Sequence, residues 1–302
     1  MRITFLGTGG VYPTKKRALP AIAIRMEDEL ILLDCGEGTQ RQFVQSQESF
    51  MRVSKVFITH LHADHILGIP GLIQTMTLNE RKEPLYFYGP PGIKRAVEVL
   101  SSFSNALTFD IHTEEVEPGE IIACRRFLVH TGSGDHTSRD IAYAIIEPDH
   151  PGRFYPELAE RLGVPRGPMF RRLQNGETVQ IGGRSITPEM VMGEKRPGRR
   201  VVYTGDTRPC KGVIDLARGC DLLIHDATHH PDDAKNASET GHSTSEEAGM
   251  VAGSASAGRL ILYHISPRYE DVTPLLEASR RVFSATEIPE DLDTLEVRRN
   301  ER

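Results

Sequence analysis

His60-Leu61-His62-Ala63-Asp64-His65, directly behind the apolar run Val56-Phe57-Ile58-Thr59, packs four metal-binding side chains into six residues. With Val56 to Thr59 read as a strand that runs out into the connection, the two-residue spacing puts His60 and His62 on one side of an extended backbone, as a chelating pair. Asp64 and His65 then fall at the entry of the apolar, partly helical stretch Ile66 to Leu78 and project toward a second point in space. Imidazole nitrogen and carboxylate oxygen suit zinc and its neighbours, and two such ions roughly 3.5–4 Å apart clamp the attacking and leaving oxygens of a displacement. The competing account makes Asp64 a helix cap and the histidines surface residues. The strand-to-helix context and the donors farther along the chain weigh against it.

Those donors stand at the ends of other apolar runs. Val201-Val202-Tyr203-Thr204 leads into Gly205-Asp206-Thr207, Leu260 to Tyr263 leads into His264-Ile265-Ser266, and Gly134-Asp135-His136 precedes the strand-like Ile141 to Ile146. Together they offer His60, His62, His136 and Asp206 to one ion, and Asp64, His65, His264 and a bridging Asp206 to another.

The ordered set His-x-His-x-Asp-His, Gly-Asp-His, Gly-Asp-Thr and a late strand ending in His resembles the metallo-β-lactamase superfamily and, more narrowly, the ribonuclease Z family. Further motifs carry the narrower likeness: Gly7-Thr8-Gly9-Gly10 followed by Pro13-Thr14-Lys15-Lys16-Arg17, Asp34-Cys35-Gly36-Glu37-Gly38-Thr39-Gln40, His225-Asp226-Ala227-Thr228, His242-Ser243-Thr244 and Ser266-Pro267-Arg268-Tyr269. The chain departs from the family pattern in three places: Asp226 stands for a usual Glu, Ala18 for Asn, and Thr137-Ser138-Arg139-Asp140 for a segment with proline.

The resemblance implies an α/β (α+β) four-layer αβ/βα sandwich, a metallo-β-lactamase domain over residues 1–302, with a flexible arm inserted at 147–199. It also implies an endonuclease that removes the 3′ trailer of precursor tRNA, leaving a 3′-hydroxyl on the tRNA and a 5′-phosphate on the trailer. Two zinc ions are expected, with manganese or another divalent ion as substitutes. Family members of this short form are commonly homodimers.

Composition agrees with a soluble enzyme. A chain of 302 residues is long enough for one α/β body with an insertion. Its net charge of −6 runs against RNA binding, but two dications would offset it locally, and the basic residues cluster at Lys15 to Arg17, Arg166 to Arg172 and Lys195 to Arg200. Each cluster alone reads as a solvated face. Scattered Cys35, Cys124, Cys210 and Cys220 read as reduced thiols, and no secretory or membrane-spanning segment is recognisable, so a cytoplasmic location is expected.

Strand-like runs at Arg2 to Leu6, Ala21 to Arg25, Leu30 to Asp34 and Val56 to Thr59 precede a helix opened by Pro90-Pro91. Val201 to Thr204, Leu222 to His225 and Leu260 to Tyr263 repeat the logic, and Thr244-x-x-Glu247 reads as a capping box. Between Glu147 and Arg199 the apolar periodicity weakens, apart from helical spacing over Pro156 to Leu162, and Gly163 to Pro168 resembles the family's tRNA-gripping arm. There Arg166, Arg171 and Arg172 would neutralise phosphates. Phe154, Tyr155 and Phe170 either stack on nucleotides or form the arm's own small core.

For catalysis, the expectation is that Asp64 holds or accepts the proton of the attacking water and His242, oriented by Asp226, protonates the leaving 3′ oxygen. Lys15, Arg17, Thr244 and Arg268 are the expected substrate contacts in the body. A small-substrate hydrolase of the same fold would share the metal donors but need no basic arm, and a non-catalytic scaffold would have no reason to keep them.

Overall fold

A computed structural model describes residues 1–104 and 106–299. It divides into two compact units, Met1–Ile146 with Arg200–Val297, and Glu147–Arg199 with Arg298 and Arg299.

The larger unit is built on two seven-stranded sheets. The first runs, in spatial order, Thr294–Glu296, Arg2–Gly7, Ala21–Met26, Glu29–Leu33, Val53–Phe57, Leu85–Gly89 and Ile111–Glu115. The second runs Thr286–Glu287, Leu260–Tyr263, Leu222–Asp226, Arg200–Tyr203, Ile141–Ile146, Leu128–Ser133 and Ile121–Ala123. Each sheet has an antiparallel half and a parallel half, so the two broadly similar halves read from the sequence are two sheets of matching construction.

Strict alternation along the strands sorts the side chains into layers. Ile22, Ile24, Ile31, Leu33, Tyr143, Ile145, Val201, Tyr203, Ile261 and Tyr263 meet in one cluster between the sheets. Their neighbours in sequence face outward: Ala21, Ala23, Leu30 and Leu32 pack with Leu72, Ile73 and Met76 of the helix Ile69–Leu78 and with Ile93 and Val97 of the helix Ile93–Ser101. On the second sheet Ala142, Ala144, Val202, Leu223 and Leu262 pack with Val213, Ala248, Val251 and Leu275 from the helices Lys211–Ala217, Ser245–Ser254 and Thr273–Val282. The result is helix, sheet, sheet, helix. Each fully buried large side chain contributes roughly 1.5–3 kcal/mol relative to exposure, and bulky residues fill the space between the sheets while alanines admit close helix packing.

Two local readings need correction. The strand before the histidine motif is Val53–Phe57, and Ile58 and Thr59 continue it only as extended chain, their N–H groups donating to Tyr88 O and to Asp34 Oδ1. The helix expected from Pro90-Pro91 begins at Ile93 after a left-handed Gly92, because both prolines are spent on the preceding turn, closed by Ile93 N–H to Pro90 O. The capping box at Thr244 and Glu247 is formed as expected.

The smaller unit has its own core. Ala159, Val164, Leu173, Val179, Ile186 and Val191 are buried together, with Phe154, Met169 and Phe170 packed against them. Phe154 and Phe170 meet edge to face at 4.9 Å, so of the two readings of these rings the core is the one realised; Tyr155 keeps 37% of its surface exposed and lies 5.9 Å from the Arg153 guanidinium.

Candidate metal centre and active site

Six of the seven donors leave the carboxyl ends of parallel strands, where backbone ladders stop and loops can converge, the usual place for ligands in such sheets. The seventh, His136, follows the antiparallel strand Leu128–Ser133. Val53–Phe57 leads to His60 and His62, and the short helix Ala63–Ile66 presents Asp64 and His65. Arg200–Tyr203 leads to Asp206, Leu222–Asp226 ends at Asp226, and Leu260–Tyr263 leads to His264 in a left-handed turn, φ 60°.

All seven expected donors come together. Ligand atoms of His60, His62, His136 and Asp206 lie within 4.8 Å of one another, as do those of Asp64, His65 and His264. Asp206 Oδ2 stands between the groups, 3.6 Å from His60 Nε2, 3.4 Å from His65 Nε2 and 3.4 Å from His264 Nε2. His242 Nδ1 reaches the same oxygen at 4.0 Å. The buried His65 Nε2 and Asp206 Oδ1 have no hydrogen-bond partner among the described residues. Such groups are costly in a protein interior, and a divalent cation is the partner that satisfies a nitrogen and a carboxylate oxygen at once. The residues present therefore fit a metal centre.

A second set of contacts turns the histidines toward it. His65 Nδ1 donates to Asp34 Oδ2 at 2.7 Å, His136 Nδ1 to Gly241 O at 2.7 Å, and His264 Nδ1 to Thr228 Oγ1 at 2.8 Å. His60 Nδ1 donates to Thr59 Oγ1 at 3.0 Å, and that hydroxyl in turn donates to Asp34. Burial and the neighbouring His65 hold His60 far below the ordinary imidazole range, which keeps it neutral. Burial opposes ionisation of Asp64 and Asp206, but the histidines beside them overcome it and hold both carboxyls below their usual range. The first sheet's glycine turn also takes part: Val11 N–H donates to Asp64 Oδ2 at 2.9 Å, and a Cβ on Gly10 would run into the His264 ring.

Asp226, though a methylene shorter than Glu, reaches its partner. Its Oδ2 accepts from His242 Nδ1 at 2.8 Å and from Thr207 N–H at 3.0 Å, while Oδ1 accepts from Thr228. Burial alone would lower the His242 pKa, but the Asp226 carboxylate raises it to about 9.

The expected substrate contacts divide. Lys15 is exposed and, with Tyr12, Lys16 and Tyr269, lines a cleft of about 660 Å³; Arg268 is about half exposed beside Asp233. Arg17 and Thr244 are turned to structural use. The Arg17 guanidinium donates to Thr8 Oγ1 and to Pro289 O at 2.8 Å, and the buried Thr244 hydroxyl caps its helix by accepting from Glu247 N–H. In the smaller unit Arg166 and Arg172 pair with Glu160 and Glu177, and Arg171 is exposed. The sequence alone points to no role for Thr59, Thr228 or Gly241. Their signal is weak, since a threonine or glycine beside a motif has many ordinary uses.

Two sheets enclosing convergent histidines and aspartates at their strand ends define a metal-dependent hydrolase of the metallo-β-lactamase fold. A family model described as "Beta-lactamase superfamily domain" matches residues 175–265, and one described as "Anti-Pycsar protein Apyc1" matches residues 1–105. The chain is 46% identical over 299 residues to a ribonuclease Z of Methanosarcina acetivorans, covering 98% of each chain. It is also 46% identical to a ribonuclease Z of Methanothermobacter thermautotrophicus, covering 99% of this chain and 97% of the relative. The crystal structure of human tRNase Z, short form, matches with a TM-score of 0.71 at 27% identity, over 99% of this chain and 100% of that one. The chain belongs to the ribonuclease Z family. Among the described residues no helix is long and apolar enough to cross a membrane.

Proposed function

We propose that the protein is a zinc-dependent endoribonuclease that removes the 3′ trailer of precursor tRNA, leaving a 3′-hydroxyl on the tRNA and a 5′-phosphate on the trailer. The observation that carries the reading is the convergence of His60, His62, Asp64, His65, His136, Asp206 and His264 around one carboxylate in a chain nearly half identical, end to end, to curated ribonuclease Z proteins. His60, His62, His136 and Asp206 would hold one zinc ion, and Asp64, His65, His264 and Asp206 the other. When bound, zinc supplies Lewis acidity and brings the pKa of water near 7.

The chain's own groups divide the remaining work. Asp64, kept ionised and steadied by Val11 N–H, accepts the proton of the attacking water. The water oxygen bonds to the scissile phosphorus, the bond from phosphorus to the 3′ oxygen breaks, and His242 delivers its proton to that oxygen. Asp226 keeps the His242 ring protonated and fixed. Lys15 and Arg268 hold phosphate oxygens, and Arg166, Arg171 and Arg172 of the arm neutralise the tRNA backbone, the exposed carboxylate partners of Arg166 and Arg172 being readily exchanged for phosphate. The enzyme in this reading is a cytoplasmic homodimer.

The test is incubation of the purified protein, loaded with zinc, with a 3′-extended pre-tRNA and separately with a small aryl phosphodiester, with both RNA ends mapped. Cleavage at the 3′ side of the tRNA with the stated ends supports the reading. Turnover of the small diester with an untouched pre-tRNA sinks it in favour of a small-substrate hydrolase.

A further inference from the structure

Asp140 is the least expected side chain of the interior. It is 4% exposed, and neither carboxylate oxygen has a hydrogen-bond partner among the described residues. Burying such a group unpaired is costly. Its neighbours include three further carboxylates, those of Asp206, Asp34 and Asp226, which add to burial in disfavouring another negative charge, with His65 opposing them.

The fold nevertheless makes room for it. A Cβ on Gly134 would collide with Asp140 Oδ2, and one on Gly205, already at φ 65°, would come within 2.5 Å of Oδ1. Glycines from two separate motif loops thus line the carboxylate on either side. Ile141 N–H donates to Thr59 O at 2.9 Å, which registers Asp140 against the residue next to His60. Asp140 Oδ1 lies 3.5 Å from His60 Nδ1, the nitrogen turned away from Asp206 and His62. Thr59 Oγ1 is the other acceptor available to that nitrogen.

We propose that Asp140 is a positioning residue for the metal centre: together with Thr59 it holds the N–H at His60 Nδ1, leaving the Nε2 lone pair to a metal ion. The inference rests on the reading of the donor cluster as a metal site. A carboxylate behind a ligating imidazole fixes the ring and raises its basicity, and removing such a partner typically weakens metal binding roughly 10–100-fold. In the metal-free protein the same carboxylate is only a liability, so the two states respond to its loss in opposite directions. Asp140 stays beneath the ligand and touches neither substrate nor reacting atoms.

The experiment compares wild type with Asp140→Asn and, to guard against one variant failing to fold, Asp140→Ser. Zinc affinity is measured by competition with a chromophoric chelator, and thermal unfolding is measured on the metal-free proteins. The expected result is about 10–100-fold weaker zinc binding with an unfolding temperature equal to or above that of wild type. In zinc-loaded protein, the variants also shift the His60 imidazole N–H resonance. Unchanged affinity, or a lower unfolding temperature in the metal-free variants, overturns the positioning role while leaving the metal centre standing. A wild-type protein that takes up no zinc overturns the metal reading and this inference with it.

Discussion

Around the metal donors many polar side chains are buried, and most histidines are held by a named partner, as His65 is by Asp34 and His264 by Thr228. In Glu147–Arg199 most charged side chains lie at the surface, the largely covered ion pair of Glu147 with Arg199 apart, and the core is a small apolar cluster. The first region is organised to fix a few atoms to within tenths of an ångström. The second is organised to hold a shape and offer charge. Chemistry needs the former, and recognition of a phosphate backbone needs only the latter.

The sharpest way to break this contrast is at Asp206. In Asp206→Ala three histidine nitrogens lose the oxygen that stands among them, so activity should fall to background and zinc content should drop for both groups of donors. Elemental analysis decides it, and a variant that keeps two metals per chain removes the bridging role. Next in size is His242→Ala. A proton donor contributes roughly 10²–10⁴-fold, so turnover should fall by that factor while metal content and tRNA affinity stay near wild type. Loss of zinc would place His242 among the ligands instead.

The arm should respond in the opposite way. Ile146 and Arg200 are paired on adjacent antiparallel strands, so residues 147–199 can be replaced by an Asn-Gly turn without disturbing their register. Cutting only part of that segment would strand half of its core. The full replacement should weaken pre-tRNA binding by about tenfold or more, and should flatten its salt dependence by roughly 0.7–0.9 for each phosphate that the arm no longer neutralises. Turnover of a small diester should be retained. Unchanged affinity and slope would reduce the arm to a surface loop. The smallest effect is one of pH: His242 acts in its protonated form, so activity falls as pH rises through its pKa. Asp226→Asn removes the charge that raises that pKa, and the alkaline limb should move down toward the ordinary imidazole range, roughly 6.5. A limb that does not move would assign it to another group.

The same contrast governs what can be read from the sequence. Apolar runs and donors at their ends are local signals, and they suffice for the eight central strands and for residues that the fold brings together. Ile111–Glu115, Ile121–Ala123, Leu128–Ser133 and the edge strands Thr286–Glu287 and Thr294–Glu296 carry too little apolar pattern to be read, and Leu85–Gly89 goes unread as well. Arg17 belongs to a basic run and reads as a substrate contact, yet its carbonyl acceptor is Pro289, 272 positions away. Asp140 reads like any charged loop residue, because the glycines that enclose it sit in two other motifs. Thr244 carries a capping signal and a family signal at once, and the helix claims its hydroxyl. The aromatic residues of the arm cannot be assigned from composition, since stacking on a base and packing in a small core call for the same side chains.

The rung shared by Ile146 and Arg200 also has a practical meaning for protein engineering. Paired residues of an antiparallel ladder lie only about 4.5–5.5 Å apart. Any cargo whose own ends lie that close, from a fluorescent reporter to an unrelated RNA-binding module, could be spliced in there while the catalytic body keeps its register. The position is a ready-made socket, through which the nuclease could be given a new address without retooling its chemistry.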